Sequence, residues 1–545
     1  MANYVRNDAW NAGGDFSNQD LLWYARGVGK MMARSLDDPA SWWFFGAIHG
    51  EYLTAAATRK IPPNTYPRWS EIKSPPSVPT TPLPSHATQE QYWNQCQHGT
   101  WYFLPWHRGY LMALEAQLRA DIVSLGGPAN WALPYWNYFG GAHGADAQMP
   151  PAFAQRTLPD GTTANPLYVT MRYGPNADGN IYIPTDTRGG GNDQDPNAAD
   201  GDVTQLCMTN DLYTGSDQST PLPGFGGPGH KWFSHNGSPH GNMEHNPHDL
   251  VHVYAGGKIS KTNYGLMADP GTAGLDPIFY LHHCNIDRMW ASWNAAGNAN
   301  PEEADWLKGP AKVFVMPMPG GESWQYAPKD VTSLATLNYT YQDLATAGQP
   351  ATAPLLLRLH RLGVAGLPAA TAHRAPSPKA TQAPAELLGA STGAVQISGA
   401  GTGPISVRLD ADVQKRVMTS LAQASLTAPP DHVYLKLENV RGALDATVLG
   451  VYVNLPAGAR TPAILRAHQA GAVALFGLRR ASTADGAHGG DGLTYVLDIS
   501  RLLDQLYRED QLPSANITVT LLARSALPEQ ETIEVGRVSV YRQPD

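Results

Sequence analysis

The 545-residue chain has little cysteine and no long hydrophobic run. Its three cysteines, Cys96, Cys207 and Cys284, are too few and too scattered for a disulfide framework. The absence of a continuous apolar stretch of roughly 18 residues excludes a membrane-spanning helix. The N-terminal sequence also lacks the basic-then-apolar pattern of a secretory signal. We therefore expect a reducing, cytoplasmic setting.

Charge is also sparse, because Asp, Glu, Lys and Arg make up 16% of the residues. The formal net charge of −9 is spread without acidic blocks, and the densest basic pair in the C-terminal half is Arg479–Arg480. No basic stripe suited to a phosphate backbone is visible. We expect neither nucleic acid nor a membrane as a partner.

Composition divides the chain into three parts. Residues 1–345 are rich in Trp and His with long helical patterns, and residues 346–389 are a linker rich in Pro, Ala and Thr, in which "LLLRLHRL" at 355–362 suggests a strand. Residues 390–545 contain short alternating segments such as "HVYLKLENV" and "ITVTLLAR". The pattern predicts a mainly α first domain, a four-helix bundle with long loops, followed by an all-β, sandwich-like domain.

The segment "NPHDLVH" places His248 and His252 one helical turn apart. Asn246 is a favourable N-cap and Pro247 suits the first helical position, so we expect a helix to begin here. Both imidazoles then leave the same helix face and could hold one metal ion. The spacing alone is also compatible with a surface helix that binds no metal.

Other predicted helices also direct histidines inward. His107 shares an apolar stripe in "LPWHRGYLMALEAQLRADI", and His49 ends the aromatic run "DPASWWFFGAIHG", in which Asp38-Pro39 is expected to open the helix. In "DPIFYLHHCNIDRMWASW", His282 and His283 lie on adjacent helix faces. Inward histidines from several helices are typical of a metal site in a bundle core.

Four further histidines are spaced by five residues, which fits neither a helix nor a strand: His230, His235, His240 and His245. Their Gly- and Pro-rich surroundings indicate an irregular loop, which holds metals poorly. We predict that they are not ligands, with His245 the least clear of the four.

With "HGTWYFLPWH" and "DPIFYLHH" added, the chain resembles the type-3 copper proteins of the tyrosinase and polyphenol oxidase family. The resemblance assigns two sets of three copper ligands, and in the last motif it selects His283 over His282. The first set is His49, His98 and His107, and the second set is His248, His252 and His283. Six neutral imidazoles suit copper.

The likeness extends to the plant-type layout, through "NYTYQD" at 338–343 and "GVYVNLPAG" in the C-terminal part. In this family a Tyr-x-Tyr pair, here Tyr339 and Tyr341, packs against an N-terminal arginine, here Arg6. Cation–π contact would fasten the start of the chain to the end of the first domain. Alternatively, both tyrosines are ordinary strand residues.

The resemblance implies two copper ions, O2 as co-substrate and small phenols as substrates. We expect oxidation of o-diphenols to o-quinones, with hydroxylation of monophenols such as tyrosine as an additional activity. An oxygen carrier with the same copper pair is the alternative, because fold and metal do not settle activity. A zinc hydrolase is disfavoured, because no carboxylate joins the six histidines.

The resemblance implies roles for several residues near the ligands. Cys96 and His98 match a Cys-x-His thioether of some members, although a buried free thiol is the alternative. Glu244 matches a residue that holds a water able to take the phenolic proton. Asp249 stands where many hydroxylating members have Asn, so oxidation of catechols is the safer prediction.

The substrate entrance is expected at Pro270 and Val253. Pro270 stands where many plant enzymes carry Phe, so we expect a mouth that admits larger phenols.

The C-terminal domain often covers the copper site in this family and keeps the enzyme latent. The loop around Phe476 and Leu478 is the candidate for the covering segment. Alternatively, the domain only stabilises the enzyme or assembles it into homo-oligomers.

Overall fold

The computed structural model describes residues 4–50, 69, 72, 77–93, 95–186, 201–215, 222–229, 239–260, 263–344, 354–367, 384–459, 461–484, 490–512 and 515–544. These residues form one core around the helices of the first domain and a second core within the C-terminal sheet. His230, His235 and most of the predicted linker lie outside the described residues. No helix within the described ranges is long and apolar enough to cross a membrane.

The first domain is mainly helical, as predicted. Its helices are α1 (Gln19–Met32), α2 (Trp42–Gly50), α3 (His86–Tyr92), α4 (Phe103–Ser124), α5 (Leu250–Gly256), α6 (Ile278–Ala295) and α7 (Ala304–Lys308). Two short sheets complete the domain: β1 (Tyr4–Arg6) pairs in parallel with β4 (Tyr339–Tyr341), and β2 (Phe314–Pro317) pairs antiparallel with β3 (Ser323–Tyr326). The helices α2, α4, α5 and α6 surround the predicted histidines.

Two of the predicted helix caps are wrong. Asp38 accepts a hydrogen bond from the Ala40 N–H in a turn, and α2 begins only at Trp42, where the Ser41 hydroxyl accepts a hydrogen bond from the Phe44 N–H. The Asn246 side chain caps no helix, because it accepts from the Thr204 N–H and donates to the Asp202 carbonyl. Residues 244–249 form a π-helical segment with a kink at Asn246, and the helical backbone that begins at Pro247 runs directly into α5.

The C-terminal domain is β-rich, as predicted. Its strands are β5 (Glu386–Ala390), β6 (Val395–Ile397), β7 (Ile405–Leu409), β8 (His432–Arg441), β9 (Val448–Val453), β10 (Gln469–Ala474), β11 (Leu493–Asp498), β12 (Asn516–Ala523) and β13 (Ile533–Gln543). They lie in one antiparallel sheet in the order β10-β9-β12-β7-β5-β13-β8-β11, with β6 beside β13, and not in the two facing sheets of a sandwich. β5 includes residues that the sequence assigned to the linker.

The sheet curves until its edge strands come close, since the Tyr495 hydroxyl of β11 donates to the Ala474 carbonyl of β10 at 2.8 Å. Alternation along single strands predicts each strand but does not specify which strands pair. Helices α9 (Ala411–Ala422), α10 (Pro462–His468), α11 (Leu478–Ala481) and α12 (Ser500–Arg508) complete the domain.

The strand predicted within residues 355–362 is also wrong, because Pro354–Arg361 forms helix α8. Leu356 and Leu359, three residues apart, are buried on one helix face. Arg358 of the same helix donates to both carboxylate oxygens of Asp504 on α12, at 2.8 and 3.0 Å. This helix is therefore attached to the C-terminal domain.

Candidate metal centre

The first group of possible metal ligands comprises four buried side chains, His49, Cys96, His98 and His107, with ligand atoms within 4.8 Å of one another. His49 is near the end of α2, His107 is in α4, and His98 lies in the segment before α4. The close packing of α2 against residues 273–275 positions His49, because a Cβ at Gly46 would lie 2.7 Å from Leu275 Cδ2. The structure thus brings the three predicted first ligands together.

The second group is His248, His252, His282 and His283, again buried and within 4.8 Å of one another. His248 lies just before α5, His252 is within it, and the other two are in α6. The rings of His248 and His252 are 4.5 Å apart between centres. The helical backbone that follows Asn246 thus places these two histidines on one face.

The two groups face each other. The rings of His107 and His283 stack with centres 4.6 Å apart, and those of His98 and His248 lie 6.0 Å apart. Six imidazoles from four helices and one loop thus converge on one buried space, in which two metal ions would be neighbours.

Hydrogen bonds at one ring nitrogen fix the orientation of most of these rings. The Nδ1 atoms of His49, His107 and His252 donate to the carbonyls of Pro270, Phe103 and Met267 at 2.8 to 2.9 Å. His248 Nδ1 donates to Asp249 Oδ1 at 2.9 Å. This arrangement leaves Nε2 as the lone-pair donor, as in metal-bound histidines generally.

The donor atoms fit a metal. His248 Nε2 is buried and has no hydrogen-bond partner among the described residues, and the same holds for His283 Nδ1. Burial lowers the pKa values of the ring nitrogens well below 6.5 in His107, His248, His252 and His283. Neutral imidazoles in a dry cavity are the ligands that copper accepts.

His282 is the one member of the second group that the sequence did not select. Its ring stacks on His248 with centres 5.4 Å apart, and both of its nitrogens are buried without a hydrogen-bond partner in the described part of the chain. Burial lowers its pKa to about 3. The geometry alone therefore allows His282 or His283 as the α6 ligand.

Cys96 is the one member of the first group that is not a histidine. Its Sγ atom is 3.5 Å from His98 Nδ1 and 3.8 Å from His107 Nε2. The sulfur is thus close enough to the His98 ring for the predicted covalent link. Cys284 is buried in α6, and burial raises the pKa of its thiol, so that it is an inert core residue.

Two carboxylates adjoin the second group. Both oxygens of Glu244 lie 3.0 Å from the Gly99 N–H, next to His98. Asp249 bridges two histidines, since its Oδ1 accepts from His248 and its Oδ2 accepts from His240 Nδ1 at 2.7 Å. Burial raises the pKa values of both carboxyl groups.

His240 belongs to the histidines whose five-residue spacing predicts an irregular loop, and that spacing gives no sign of this contact. Burial lowers the pKa of His240, but Glu244 and Asp249 outweigh it and raise the value to about 9. The two acidic neighbours therefore favour the protonated form of the His240 ring. His245, from the same loop, packs near Tyr495, and burial lowers its pKa to about 3.

The C-terminal domain covers the centre. The Phe476 ring stacks on His252 with centres 4.4 Å apart, and it lies 6.0 Å from His248 and 6.3 Å from His98. Leu478, the other candidate, packs in the C-terminal core. The two residues predicted at the substrate entrance, Pro270 and Val253, are buried in this arrangement.

The contact of Arg6 with Tyr339 and Tyr341, which joins the two ends of the first domain, is formed as predicted. The Arg6 guanidinium lies 4.1 Å from the centre of the Tyr339 ring and 5.6 Å from that of Tyr341. It also forms buried ion pairs with Glu115 of α4 at 2.8 Å and with Asp287 of α6 at 3.1 Å. Arg6 thus links the strand pair to the two helices that carry His107 and His283.

Comparison with known proteins agrees with this geometry. Residues 39–296 match the family model described as the common central domain of tyrosinase, and residues 384–543 match a domain of unknown function, DUF7868. Tyrosinase HcTyr1 of Hahella sp. (strain CCB-MM4) is 30% identical over 535 residues, which are 97% of this chain and 98% of that protein. Chloroplastic polyphenol oxidase E of Solanum lycopersicum is 33% identical over 217 residues, 38% of this chain and 33% of its own length.

The fold is also that of solved proteins. Latent apple tyrosinase superposes with a TM-score of 0.53 at 20% identity, over 100% of this chain and 98% of that one. A latent aurone synthase, a polyphenol oxidase, gives a TM-score of 0.53 at 18% identity, over 99% of this chain and 89% of that one. Both matches confirm a helical domain followed by a β-rich domain.

The fold and the facing histidine groups define a dicopper oxidoreductase. The chain belongs to the tyrosinase family, and its cofactor is a pair of copper ions.

Proposed function

We propose that this chain oxidises o-diphenols to o-quinones with O2, and that the intact chain is latent until its C-terminal domain is displaced. The observation that carries the proposal is the stack of Phe476 on His252, 4.4 Å between ring centres, at a dicopper centre. An aromatic side chain there occupies the place in which a phenolic ring would bind by the same stacking.

A bound copper pair would supply the redox chemistry that couples the diphenol to O2. Two o-diphenols each lose two electrons and two protons, and the four electrons and four protons convert O2 into two water molecules. The six imidazoles would hold the two ions, and the surrounding side chains would orient the ring and exclude water.

The side chains favour diphenols over monophenols. A monophenol must first lose its proton to a base, and Asp249 already accepts hydrogen bonds at both oxygens. Glu244 is fixed by the Gly99 N–H, and burial raises its pKa well above the usual range. We therefore propose that tyrosine hydroxylation is slow relative to catechol oxidation.

We also propose that Pro270, whose carbonyl accepts from His49 Nδ1, borders the substrate entrance once the C-terminal domain is displaced. The small proline ring in place of a bulky aromatic residue favours large catechols. Rates with catechol and with a bulky 4-substituted catechol test this point, and a marked loss with the bulky substrate would refute it.

The decisive experiment compares the copper-loaded intact chain with the same chain after limited proteolysis within residues 346–389. Catechol, tyrosine and o-aminophenol are supplied to both forms, and quinone formation and O2 uptake are recorded. We expect slow turnover of catechol by the intact chain and a rise of tenfold or more, about 1.4 kcal/mol, after cleavage.

Equal rates before and after cleavage would reject latency but leave the oxidase activity. A reversible colour on oxygenation without quinone would identify an oxygen carrier and reject the oxidase activity.

A further inference from the structure

We propose that His240 is a positioning residue for the copper ligands: through Asp249 it fixes the ring of His248. The spacing of the loop histidines predicted no role for His240. The proposal concerns copper binding and is independent of the choice of phenolic substrate.

Three buried side chains form the connection. His240 Nδ1 donates to Asp249 Oδ2 at 2.7 Å, and Asp249 Oδ1 accepts from His248 Nδ1 at 2.9 Å. His240 is 6% exposed, and the other two are fully buried. Because each carboxylate oxygen has its own imidazole, the carboxylate plane cannot rotate without losing one of the two bonds.

His248 needs this support more than His49, His107 and His252 do. His49, His107 and His252 each donate Nδ1–H to a backbone carbonyl, which a packed backbone holds in place. His248 lies in the kinked π-helical segment before α5 and donates to a side chain instead. A side-chain acceptor fixes the ring and its tautomer only if it is itself held.

The backbone around His240 is well fixed. Pro239 forms a parallel bridge with Thr494 of β11, and the Asn242 N–H donates to the Gly224 carbonyl at 2.8 Å. Gly241 lies so close to a neighbouring loop that a Cβ there would be 2.5 Å from the Gly227 nitrogen. The loop therefore presents the His240 ring to Asp249 from a rigid support.

A rival explanation is that His240 only balances the charge of its acidic neighbours, since its Nδ1 is also 3.7 Å from Glu244. Two substitutions separate the explanations. His240→Asn keeps an N–H donor near the position of Nδ1 and removes the positive charge. His240→Leu removes both.

The test is a copper titration of the metal-free chain in a chelator competition, with bound copper counted per chain. For His240→Leu, we expect one of the two copper ions to bind about tenfold or more weakly, as for other residues that support metal ligands. The copper ion of the first histidine group should bind as in the unaltered chain. His240→Asn should restore most of the lost affinity.

His245→Phe is the matched control. His245 is a buried histidine of the same loop, and no hydrogen bond links it to Asp249 among the described residues. This variant should bind both copper ions normally. Unfolding temperatures of the three variants establish that each is folded before the titration.

Unchanged binding of both ions by His240→Leu would overturn the proposal. So would equal weakening of both ions, which indicates a general loss of structure, or a His240→Asn variant as weak as His240→Leu, which indicates a charge effect. Catechol oxidation by the unaltered chain does not depend on any of these outcomes, so failure here leaves the proposed function standing. Binding of fewer than two copper ions by the unaltered chain would overturn both.

Discussion

The two histidine groups are held in different ways. In the first group, His49 and His107 donate to the backbone carbonyls of Pro270 and Phe103. In the second group, His252 donates to a backbone carbonyl, whereas His248 depends on the Asp249 carboxylate. Backbone acceptors thus fix the orientation of rings in the first group, whereas the second group depends in part on a side-chain acceptor that a substitution can remove.

The groups also differ in their contact with the C-terminal domain. Phe476 stacks on His252 of the second group at 4.4 Å, whereas the first group's His98 is 6.3 Å from the same ring. The bridge between Pro239 and Thr494 ties the loop next to the second group to β11. Movement of the C-terminal domain should therefore affect the second group more strongly than the first.

The largest expected effect comes from removing a ligand. His107→Ala and His252→Ala should each lower catechol oxidation by about a thousandfold or more, roughly 4 kcal/mol, because both copper ions are needed. Each variant should retain one copper ion per chain, since the Nδ1 atoms of the two histidine groups donate to different hydrogen-bond acceptors. Elemental analysis measures this, and the loss of both ions from either variant would show that the groups depend on each other.

The second effect tests the contact of the second group with the covering domain. Phe476→Ala should raise the activity of the intact chain by about tenfold, because the stacking surface of His252 becomes available to substrate. The rise should disappear after proteolysis within residues 346–389. Initial rates of catechol oxidation before and after cleavage provide the measurement.

Leu475→Ala is the control for Phe476→Ala, because it leaves a cavity in the C-terminal core next to the ring without removing the ring. An intact Leu475→Ala chain as active as Phe476→Ala would mean that domain stability, and not the ring itself, limits access.

A smaller effect is expected at the edge of the interface, where Arg524, the residue directly after β12, donates to Asp202 at 2.7 Å through Nε. The same carboxylate accepts from the hydroxyl of Tyr254, two residues after His252. Arg524→Gln should weaken docking by about 1 kcal/mol, because the pair is partly exposed to solvent. Proteolysis of the linker should then be about fivefold faster.

Arg537→Gln is the matched control for Arg524, because its 4.0 Å pair with Glu438 lies within the C-terminal domain. Equal acceleration in both variants would place the effect in that domain and not in the interface.

The helical ligands could be predicted because helix periodicity is local information. His107 lies on an apolar stripe, and the spacing of His248 and His252 alone places their rings on one face. His98 lies outside any helix, so only the resemblance identified it. The choice between His282 and His283 also rests on the resemblance, since both rings are buried in the second group.

Features that depend on distant contacts could not be read from the sequence. The Asn246 side chain bonds to Thr204 and Asp202, more than 40 residues away, and this competes with the expected cap. His240 meets Asp249 only because both loops fold against the second group. The pairing order of the C-terminal strands is likewise set by long-range register, which alternation does not encode.

The smallest expected effect tests how His98 of the first group is held. Following the resemblance, we propose that Cys96 Sγ, which is 3.5 Å from His98 Nδ1, becomes bonded to a ring carbon of His98. The thiol hydrogen and the ring hydrogen are lost, and their two electrons reduce O2 to hydrogen peroxide. Mass spectrometry of the aerobically copper-loaded chain should find the peptide two hydrogens lighter than its sequence.

Cys96→Ser is the matched control, since it cannot form the link and its peptide should have full mass. Because backbone carbonyls already fix His49 and His107, this variant should weaken the first copper ion by about tenfold or less. The second copper ion should bind unchanged. A full-mass, alkylatable Cys96 after copper loading would contradict the link, and the first group would then be held by hydrogen bonds and packing alone.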